Sequence, residues 1–190
     1  MKNRKTLEEK IRCDAHVAGV KLGFIQEVKR LFWPSYCFEY IRLLRKATYY
    51  KRQGGAKSIF GYFLSVICLH RSRALGFYIP EDVFGPGIYI PHFGSVIIHP
   101  QSRIGAFCQI NNNVVIGQVN GKCPIIGNNV FIGSGAVICG DVSIADNVWI
   151  GANAVVTKSI AESNVLIAGS PARIIGVREK NWVETFNLNS

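Results

Sequence analysis

The strongest constraint on the fold is a six-residue repeat of branched aliphatic side chains in the C-terminal half. The repeat runs through Ile98, Ile104, Ile110, Ile116, Ile126, Ile132, Ile138, Ile144, Ile150 and Val156. It slips once, because four extra residues separate Ile116 from Ile126. A helix repeats near 3.6 residues and a strand at about 2, so neither explains this spacing. A repeat of six is typical of a parallel β-helix, in which short strands wrap around a prism and stack coil on coil.

A second set of positions, four residues after each aliphatic one, supports the same architecture. Its members are Ser102, Cys108, Val114, Val130, Ala136, Val142, Val148 and Ala154, all small or β-branched. Such side chains fit a narrow prism interior. Glycines and asparagines stand between the repeat positions, and both tolerate the left-handed backbone of tight corners. Three hexads make one triangular coil, so residues three hexads apart should stack.

The first 76 residues have helical signals instead. A helix is predicted over residues 6–32, beginning with a capping box formed by Thr6 and Glu9. Pro34 ends it, and Ser35 can cap a second helix that runs to about Lys51. A third helix is predicted from about residue 57 to residue 73. Helical periodicity then disappears from Ile79 onward.

These patterns divide the chain into three parts. We predict a basic α-helical N-terminal segment over 1–76, a β-helix domain over 77–169 and a C-terminal capping tail over 170–190. The fold class is therefore mainly β. A solenoid leaves unpaired strand edges at both ends, which need covers. The helical segment and the tail are in position to supply them.

The positive charge is concentrated in the helical segment. Residues 1–75 contain 16 Lys and Arg but 5 Asp and Glu, whereas residues 76–190 contain 6 and 7. A basic segment of this kind could meet an anionic membrane surface, or it could simply be a solvated helical face. Nucleic acid is not an expected partner, because no recognition motif accompanies the charge.

Cysteine usage and the N-terminus point to a cytoplasmic protein, with peripheral contact to the inner membrane as a further expectation. The six cysteines show no paired spacing and no C-x-x-C motif, which indicates free thiols in a reducing compartment. Residues 1–10 are charged and lack the apolar core of a signal peptide. The longest apolar run, residues 59–69, is too short to span a bilayer. No metal is expected, because the sequence offers no ligand cluster.

Residues 87–92, of sequence GIYIPH, and residues 168–176, of sequence AGSPARIIG, frame a recognisable stretch. From about residue 77 to residue 176 the chain resembles the hexapeptide-repeat acyltransferases. Within them it is similar to the serine acetyltransferases and the related polysaccharide O-acetyltransferases. This resemblance implies a left-handed β-helix, a homotrimer with active sites between subunits, and acetyl-CoA as acyl donor. The hand does not follow from general crossover rules, which favour the right hand.

His92 is the candidate catalytic residue, because the resemblance implies a general base at this position. The chemistry is reasonable in itself: a hydroxyl is a poor nucleophile, whereas a thioester is already activated. An imidazole with a pKa near 6.5 can take the hydroxyl proton during attack and pass it to the departing thiolate. His99 follows an aliphatic position at a corner, which suggests a structural or substrate-facing residue.

Three positions depart from the serine acetyltransferase pattern. Tyr78 and Pro91 stand where those enzymes have acidic residues, and Cys123 stands where they have a second histidine before a proline. The basic residue of that loop survives as Lys122. We therefore expect Lys122 and Cys123 to contact the acceptor.

Tyr78, Glu81 and Asp82 are also expected at the acceptor site, and orientation of the His92 ring then falls to one of these three. The missing groups are those that would hold a small zwitterionic amino acid, which favours a sugar or glycan hydroxyl, as in capsule or exopolysaccharide, as the acceptor. Two alternatives remain: serine O-acetylation in cysteine biosynthesis, and a catalytically inactive scaffold or ligand-binding module.

Donor-binding residues are also implied by the resemblance. The pantetheine arm is expected in a groove between coils at Gly117, Ala136 and Ala154. Lys158 and Arg173, among the few cations of the C-terminal half, are candidates for the coenzyme phosphates. Cys123 is not assigned as an acyl-accepting nucleophile, because no base near it is visible in the sequence.

Overall fold

The computed structural model describes residues 2–26, 28, 35–178, 180 and 182–187. In the described part of the chain, three helices with defined bounds precede the β-structure, residues 24–26 and 28 are also helical, and one short helix follows the β-structure. The helices with defined bounds are α1 (Lys2–Val17), α2 (Tyr36–Lys51), α3 (Gly55–Leu75) and α4 (Trp182–Asn187). Among the residues described, no helix is both long enough and apolar enough to cross a membrane.

The second and third predicted helices are confirmed, whereas the first begins earlier than predicted and is interrupted after Val17, with helical backbone again at residues 24–26 and 28. Helix α1 already begins at Lys2, so Thr6 lies inside it and cannot cap it. It ends at Val17, and Gly19 follows with a φ of +64°. Beyond that glycine the predicted apolar stripe is exposed, with Phe24 at 84%. Residues 29–34, including Pro34, lie outside the described residues.

The β-helix domain is built from thirteen short strands. They are β1 (Phe77–Tyr78), β2 (Val96–Ile98), β3 (Arg103–Ile104), β4 (Gln109–Ile110), β5 (Val114–Gly117), β6 (Ile125–Ile126), β7 (Phe131–Ile132), β8 (Val137–Cys139), β9 (Ser143–Ile144), β10 (Trp149–Ile150), β11 (Val155–Val156), β12 (Val165–Ala168) and β13 (Arg173–Val177). The first sheet has the order β1-β2-β5-β8-β11, the second β13-β12-β10-β7-β4 and the third β3-β6-β9. Each sheet takes one strand from each coil, which is the arrangement of a three-sided parallel solenoid.

The strand register confirms the stacking predicted from the repeat. Val96 pairs with Val114, three hexads further along the chain. Val115 pairs with Val137, at three hexads plus the four-residue insertion. The insertion is therefore extruded as a loop, and the repeat resumes in phase above it.

The prism interior is filled by the two predicted sets of positions. All ten repeat aliphatics are at most 4% exposed, and all eight positions of the second set are at most 3% exposed. Full burial of an aliphatic side chain contributes about 1.5–3 kcal/mol, so this continuous column is the main source of stability.

The helical segment covers the open end of the first coil, as predicted. Arg45 of α2 donates from Nη1 to the Phe84 carbonyl, at 3.1 Å, and from Nη2 to the Gly85 carbonyl, at 2.5 Å. Asp14 of α1 accepts the Ile88 amide proton at 2.9 Å. These side chains satisfy backbone groups that no neighbouring coil can reach.

The C-terminal tail covers more than the opposite end. Strand β13 pairs antiparallel with β12 and closes the edge of the second sheet. The chain then turns back along the outer face of that sheet, where the Arg178 guanidinium lies 4.7 Å from the Trp149 ring centroid. Trp182 is buried, donates from Nε1 to the Phe107 carbonyl and stacks on Tyr89 with centroids 6.0 Å apart.

Candidate functional site

His92 lies in the loop between the second and first sheets, just before β2, and its side chain is exposed. The ring makes no hydrogen bond to any part of the chain that the structure describes. Its neighbours Pro91 and Phe93 line a cleft of about 300 Å³, whose other described walls come from the end of α1 and the start of α2. The imidazole of His92, between these two residues, is exposed and unbonded, but it does not itself line the cleft.

The two carboxylates expected to orient His92 are bonded elsewhere. Glu81 Oε1 accepts from Lys51 Nζ at 2.9 Å and from Ser65 Oγ at 3.1 Å. Asp82 is ion-paired with Arg52. Both carboxylates tie the first coil to helices α2 and α3. Neither carboxylate makes a hydrogen bond to His92 among the described residues, so a role for either one towards His92 or the acceptor stays a prediction.

Tyr78 lies on the outer face of the first sheet, beside Ile97 of β2, and is 60% exposed. Its hydroxyl makes no hydrogen bond to the described residues. A role for Tyr78 towards His92 or the acceptor stays a prediction.

The inserted loop folds into a tight hairpin. Val119 and Lys122 exchange two backbone hydrogen bonds, each of 3.0 Å. Asn120 and Gly121 form the turn between them with φ values of +51° and +78°, as an Asn-Gly hairpin turn requires. Lys122 Nζ lies 3.5 Å from Asp141, with both side chains largely exposed. The hairpin places Cys123 next to the first sheet.

Cys123 contacts His99, the corner residue that follows β2. The Cys123 Sγ lies 3.1 Å from His99 Nδ1, and both side chains are half-buried. The Gln101 amide also donates to His99 Nδ1, at 3.3 Å. No base near Cys123 is visible in the sequence, so the spacing of the residues did not predict this pair. The Asn-Gly turn was the signal that the loop folds back on itself.

The predicted donor groove is only partly available. Ala136 and Ala154 have 0% exposure, and their amides donate to Gly133 and Gly151 within the coil. Their methyl groups therefore belong to the core, and an approach of the pantetheine arm to the backbone at these two residues stays a prediction. Gly117, the last residue of β5, is partly exposed, and an added Cβ there would lie 3.2 Å from Cys139 Sγ.

The two candidate phosphate-binding cations are both exposed. Arg173 begins β13, directly after Ala172, whose amide donates to the Val155 carbonyl at 2.8 Å. Val155 belongs to β11, and Lys158 lies shortly after the end of that strand. The turn over 169–172, which contains a cis Ser170–Pro171 bond, thus brings Arg173 to the edge of the strand that precedes Lys158.

The six cysteines are free thiols, as predicted. Burial raises the pKa of Cys37 to about 11 and those of Cys68 and Cys108 to about 12. These three are therefore protonated and unreactive near neutral pH. No group of three or more His, Cys, Asp or Glu side chains is arranged to hold a metal ion within the part of the chain that the structure describes.

Comparison with known sequences finds the bacterial transferase hexapeptide (six repeats) family over residues 123–158. A serine acetyltransferase of Synechococcus elongatus is 37% identical over 106 residues, covering 52% of this chain and 43% of the relative. One from Mycobacterium tuberculosis is 37% identical over 101 residues, covering 51% and 44%. The chain thus spans less than half the length of these curated relatives.

Solved structures extend the likeness to most of the chain. A serine acetyltransferase of Brucella abortus matches with a TM-score of 0.70 at 25% identity, over 93% of this chain and 74% of that one. A serine acetyltransferase in complex with CoA matches in fold, with a TM-score of 0.71 at 23% identity over 92% and 72%. Sequence and fold together confirm the predicted resemblance to the hexapeptide-repeat transferases and, within them, to the serine acetyltransferases.

Proposed function

We propose that the protein is an acetyl-CoA-dependent O-acetyltransferase with His92 as general base. The observation that carries the proposal is the exposed, unbonded imidazole of His92, between two residues that line the cleft of about 300 Å³, in a domain with the fold of serine acetyltransferases. The acceptor hydroxyl attacks the thioester carbonyl while His92 takes its proton. The carbon–sulfur bond then breaks, and His92 returns the proton to the coenzyme thiolate. Acid–base catalysis of this kind contributes about 10²–10⁴-fold.

The donor is proposed from the likeness to a structure that holds CoA. The chain offers two features that fit it. Gly117 leaves the end of β5 without a side chain, so a pantetheine arm can approach the backbone there. Lys158 and Arg173 are exposed cations beside the edge of β11, where they can pair with phosphate groups.

L-Serine is the first acceptor to test, because the curated relatives are serine acetyltransferases. This reverses the preference for a sugar that the sequence departures suggested. A sugar hydroxyl is kept as the second candidate for one structural reason. Lys51 and Arg52 already hold Glu81 and Asp82, so neither carboxylate is available to bind the ammonium group of an amino acid.

A thiol-release assay with acetyl-CoA tests both acceptors in one format, L-serine against a panel of hexoses. His92→Ala should lower turnover at least about a hundredfold. The melting temperature should stay near that of the parent, because the ring is exposed and unbonded. His70→Ala, at an exposed position on α3, is the matched control. Normal turnover in His92→Ala would remove His92 as the base.

A binding module without activity is the remaining alternative, motivated by the altered surroundings of His92. Isothermal calorimetry separates it from the enzyme. Heat of CoA binding that is reduced in a Lys158→Ala and Arg173→Ala double variant supports the proposed donor site. Absence of CoA binding at millimolar concentration would favour the inactive scaffold.

We further propose a homotrimer with active sites between subunits. In one chain the coils of the β-helix border His92 on one side, and a second subunit would supply the other side. Light scattering of the intact protein gives the oligomeric state directly.

Helix α3 supports the proposal that the protein works at the cytoplasmic face of the inner membrane. One side of this helix exposes six large apolar side chains, each 47–73% exposed: Ile59, Phe60, Tyr62, Phe63, Val66 and Leu69. The helix contains no acidic residue, and Lys57, Arg71 and Arg73 stand exposed near its ends. An apolar face flanked by cations is typical of a helix lying in an anionic lipid interface.

Sedimentation with vesicles tests the lipid contact. Binding to phosphatidylglycerol vesicles, but not to pure phosphatidylcholine, is expected, and Phe63→Glu should abolish it. Val177→Glu, exposed on β13, is the control and should bind like the parent. If Phe63→Glu instead lowers the mass measured by light scattering without affecting vesicle binding, the face joins two copies of the chain and the lipid proposal fails.

A further inference from the structure

We propose that Cys123, with His99 as its base, accepts the acyl group covalently from the thioester donor. The proposal deepens the function proposed above, because it takes its donor from it. It makes the corner after β2 a second reactive centre, separate from the loop that carries His92.

The hydrogen bonds at His99 determine which ring nitrogen can act as a base. A backbone amide can only donate, so the 3.3 Å contact from Gln101 requires Nδ1 to accept. The neutral ring therefore carries its proton on Nε2, and the Gln101 N–H and the Cys123 thiol share the single lone pair of Nδ1. Cys123 Sγ lies 3.1 Å from that atom, within reach for proton transfer.

Both members of the pair are held by their backbones. The His99 amide donates to the Ile116 carbonyl at 2.8 Å, and the His99 carbonyl accepts from the Ser102 amide at 3.0 Å. Cys123 is held by the two hydrogen bonds of the hairpin before it and by the buried Pro124 after it. The contact thus depends on the folded hairpin rather than on two mobile side chains.

Cys123 differs from the other cysteines in its surroundings. Cys37, Cys68 and Cys108 are buried, and burial raises the pKa of each thiol. Cys13 and Cys139 are half-buried like Cys123. Of the six, Cys123 alone contacts an imidazole in the part of the chain that the structure describes. A thiol that is reachable and next to a base is the pattern of a nucleophilic cysteine.

The step balances without any further reactant. Cys123 Sγ attacks the thioester carbonyl carbon, and its proton moves to His99 Nδ1. The carbon–sulfur bond of the donor breaks, and the departing thiolate takes the proton from Nδ1. One thioester replaces another, so the step is close to neutral in free energy. The Gln101 N–H opposes a lasting proton on Nδ1, which favours passing it on.

The test omits the acceptor. The intact protein is incubated with acetyl-CoA, and in a parallel arm with S-acetyl-N-acetylcysteamine, a thioester without a nucleotide. We expect one acetyl group per chain by intact mass, placed on Cys123 by peptide mapping under acidic conditions. Cys123→Ala should abolish the adduct and His99→Ala should slow its formation at least tenfold. Cys13→Ala, at a half-buried thiol on α1, is the matched control and should acylate like the parent.

The two arms distinguish failure of this inference from failure of the proposed function. An adduct with the short thioester but not with acetyl-CoA keeps the Cys123 centre and removes the coenzyme as donor. Full acetyl transfer by Cys123→Ala, with no adduct on the parent in either arm, overturns the covalent centre while leaving the transferase intact. An adduct that forms at the same rate in His99→Ala overturns the role of the base.

Discussion

Arg45 and Asp14 form a buried ion pair beneath the first coil, with Arg45 Nε 3.0 Å from Asp14 Oδ2. Their side chains are 9% and 1% exposed. Both groups also form hydrogen bonds to the solenoid. The guanidinium donates to two backbone carbonyls, and the carboxylate accepts a hydrogen bond from the Ile88 amide. The pair therefore joins α1 and α2 and also satisfies the open edge of the β-helix.

Removing one partner should strongly lower the free energy of unfolding, because the other partner is then left charged and buried without its counter-ion. Asp14→Ala is expected to lower the free energy of unfolding by about 3–5 kcal/mol, measured by urea denaturation. Asp14→Asn should lose less, since its amide oxygen can still accept from Ile88. Asp141→Ala, which breaks the exposed pair with Lys122, is the control and should change little. Equal effects of Asp14→Ala and Asp141→Ala would contradict the capping role.

Close stacking of coils predicts a second effect, at glycine. A Cβ added to Gly133 would lie 2.6 Å from the Ala152 nitrogen and 2.8 Å from the Ile150 carbonyl oxygen. These are backbone atoms of the next coil and cannot move aside, so Gly133→Ala should destabilise by about 1–3 kcal/mol.

Gly176→Ala is the matched control for that substitution, because a Cβ there meets nothing within 4 Å. Thermal unfolding followed by circular dichroism compares the two variants. A melting temperature for Gly133→Ala equal to that of Gly176→Ala would mean that the coils are not stacked this closely.

The solenoid could be predicted because its signal is local and repeated. Each hexad places one aliphatic residue inward, so Ile98, Ile116 and Ile138 align in the first sheet without knowledge of distant contacts. The first helix could not be bounded in the same way. Its apolar stripe continues past Gly19, and only the φ of +64° at that residue shows where the helix has ended.

The candidate site depends on contacts that sequence spacing does not reveal. Cys123 and His99 are brought together by a loop outside the repeat, so the hexad rule says nothing about their distance. Glu81 and Asp82 were available as partners of His92 until α2 and α3 were seen to supply Lys51, Ser65 and Arg52. Ala136 and Ala154 were predicted both in the prism interior and at the donor groove, and the structure confirms their place in the interior.

The interior column makes a third prediction. Ile138 is fully buried in β8, so Ile138→Ala should cost about 2–5 kcal/mol and Ile138→Val about 0.5–1.5 kcal/mol. The loss grows with the cavity, because the rigid coils cannot collapse to fill it. Ile125→Ala removes the same atoms from a 59% exposed position in β6 and is the control. The urea midpoint should be lowest for Ile138→Ala, higher for Ile138→Val and highest for Ile125→Ala.

Stability should also fall in alkaline solution because of the buried thiols. Burial raises the pKa of Cys108 to about 12 from a usual value of 9.0, so the folded chain keeps a proton that the unfolded chain releases. This contribution is fully present below pH 9 and is lost as the pH rises towards 12, by about 1.4 kcal/mol per pH unit.

Cys108→Ala should flatten the decline in unfolding free energy between pH 9 and 10.5, even if it lowers stability at pH 7. Cys13→Ala, at a half-buried thiol, should leave the slope as it is. The same slope in both variants would show that the Cys108 thiol is not withdrawn from solvent.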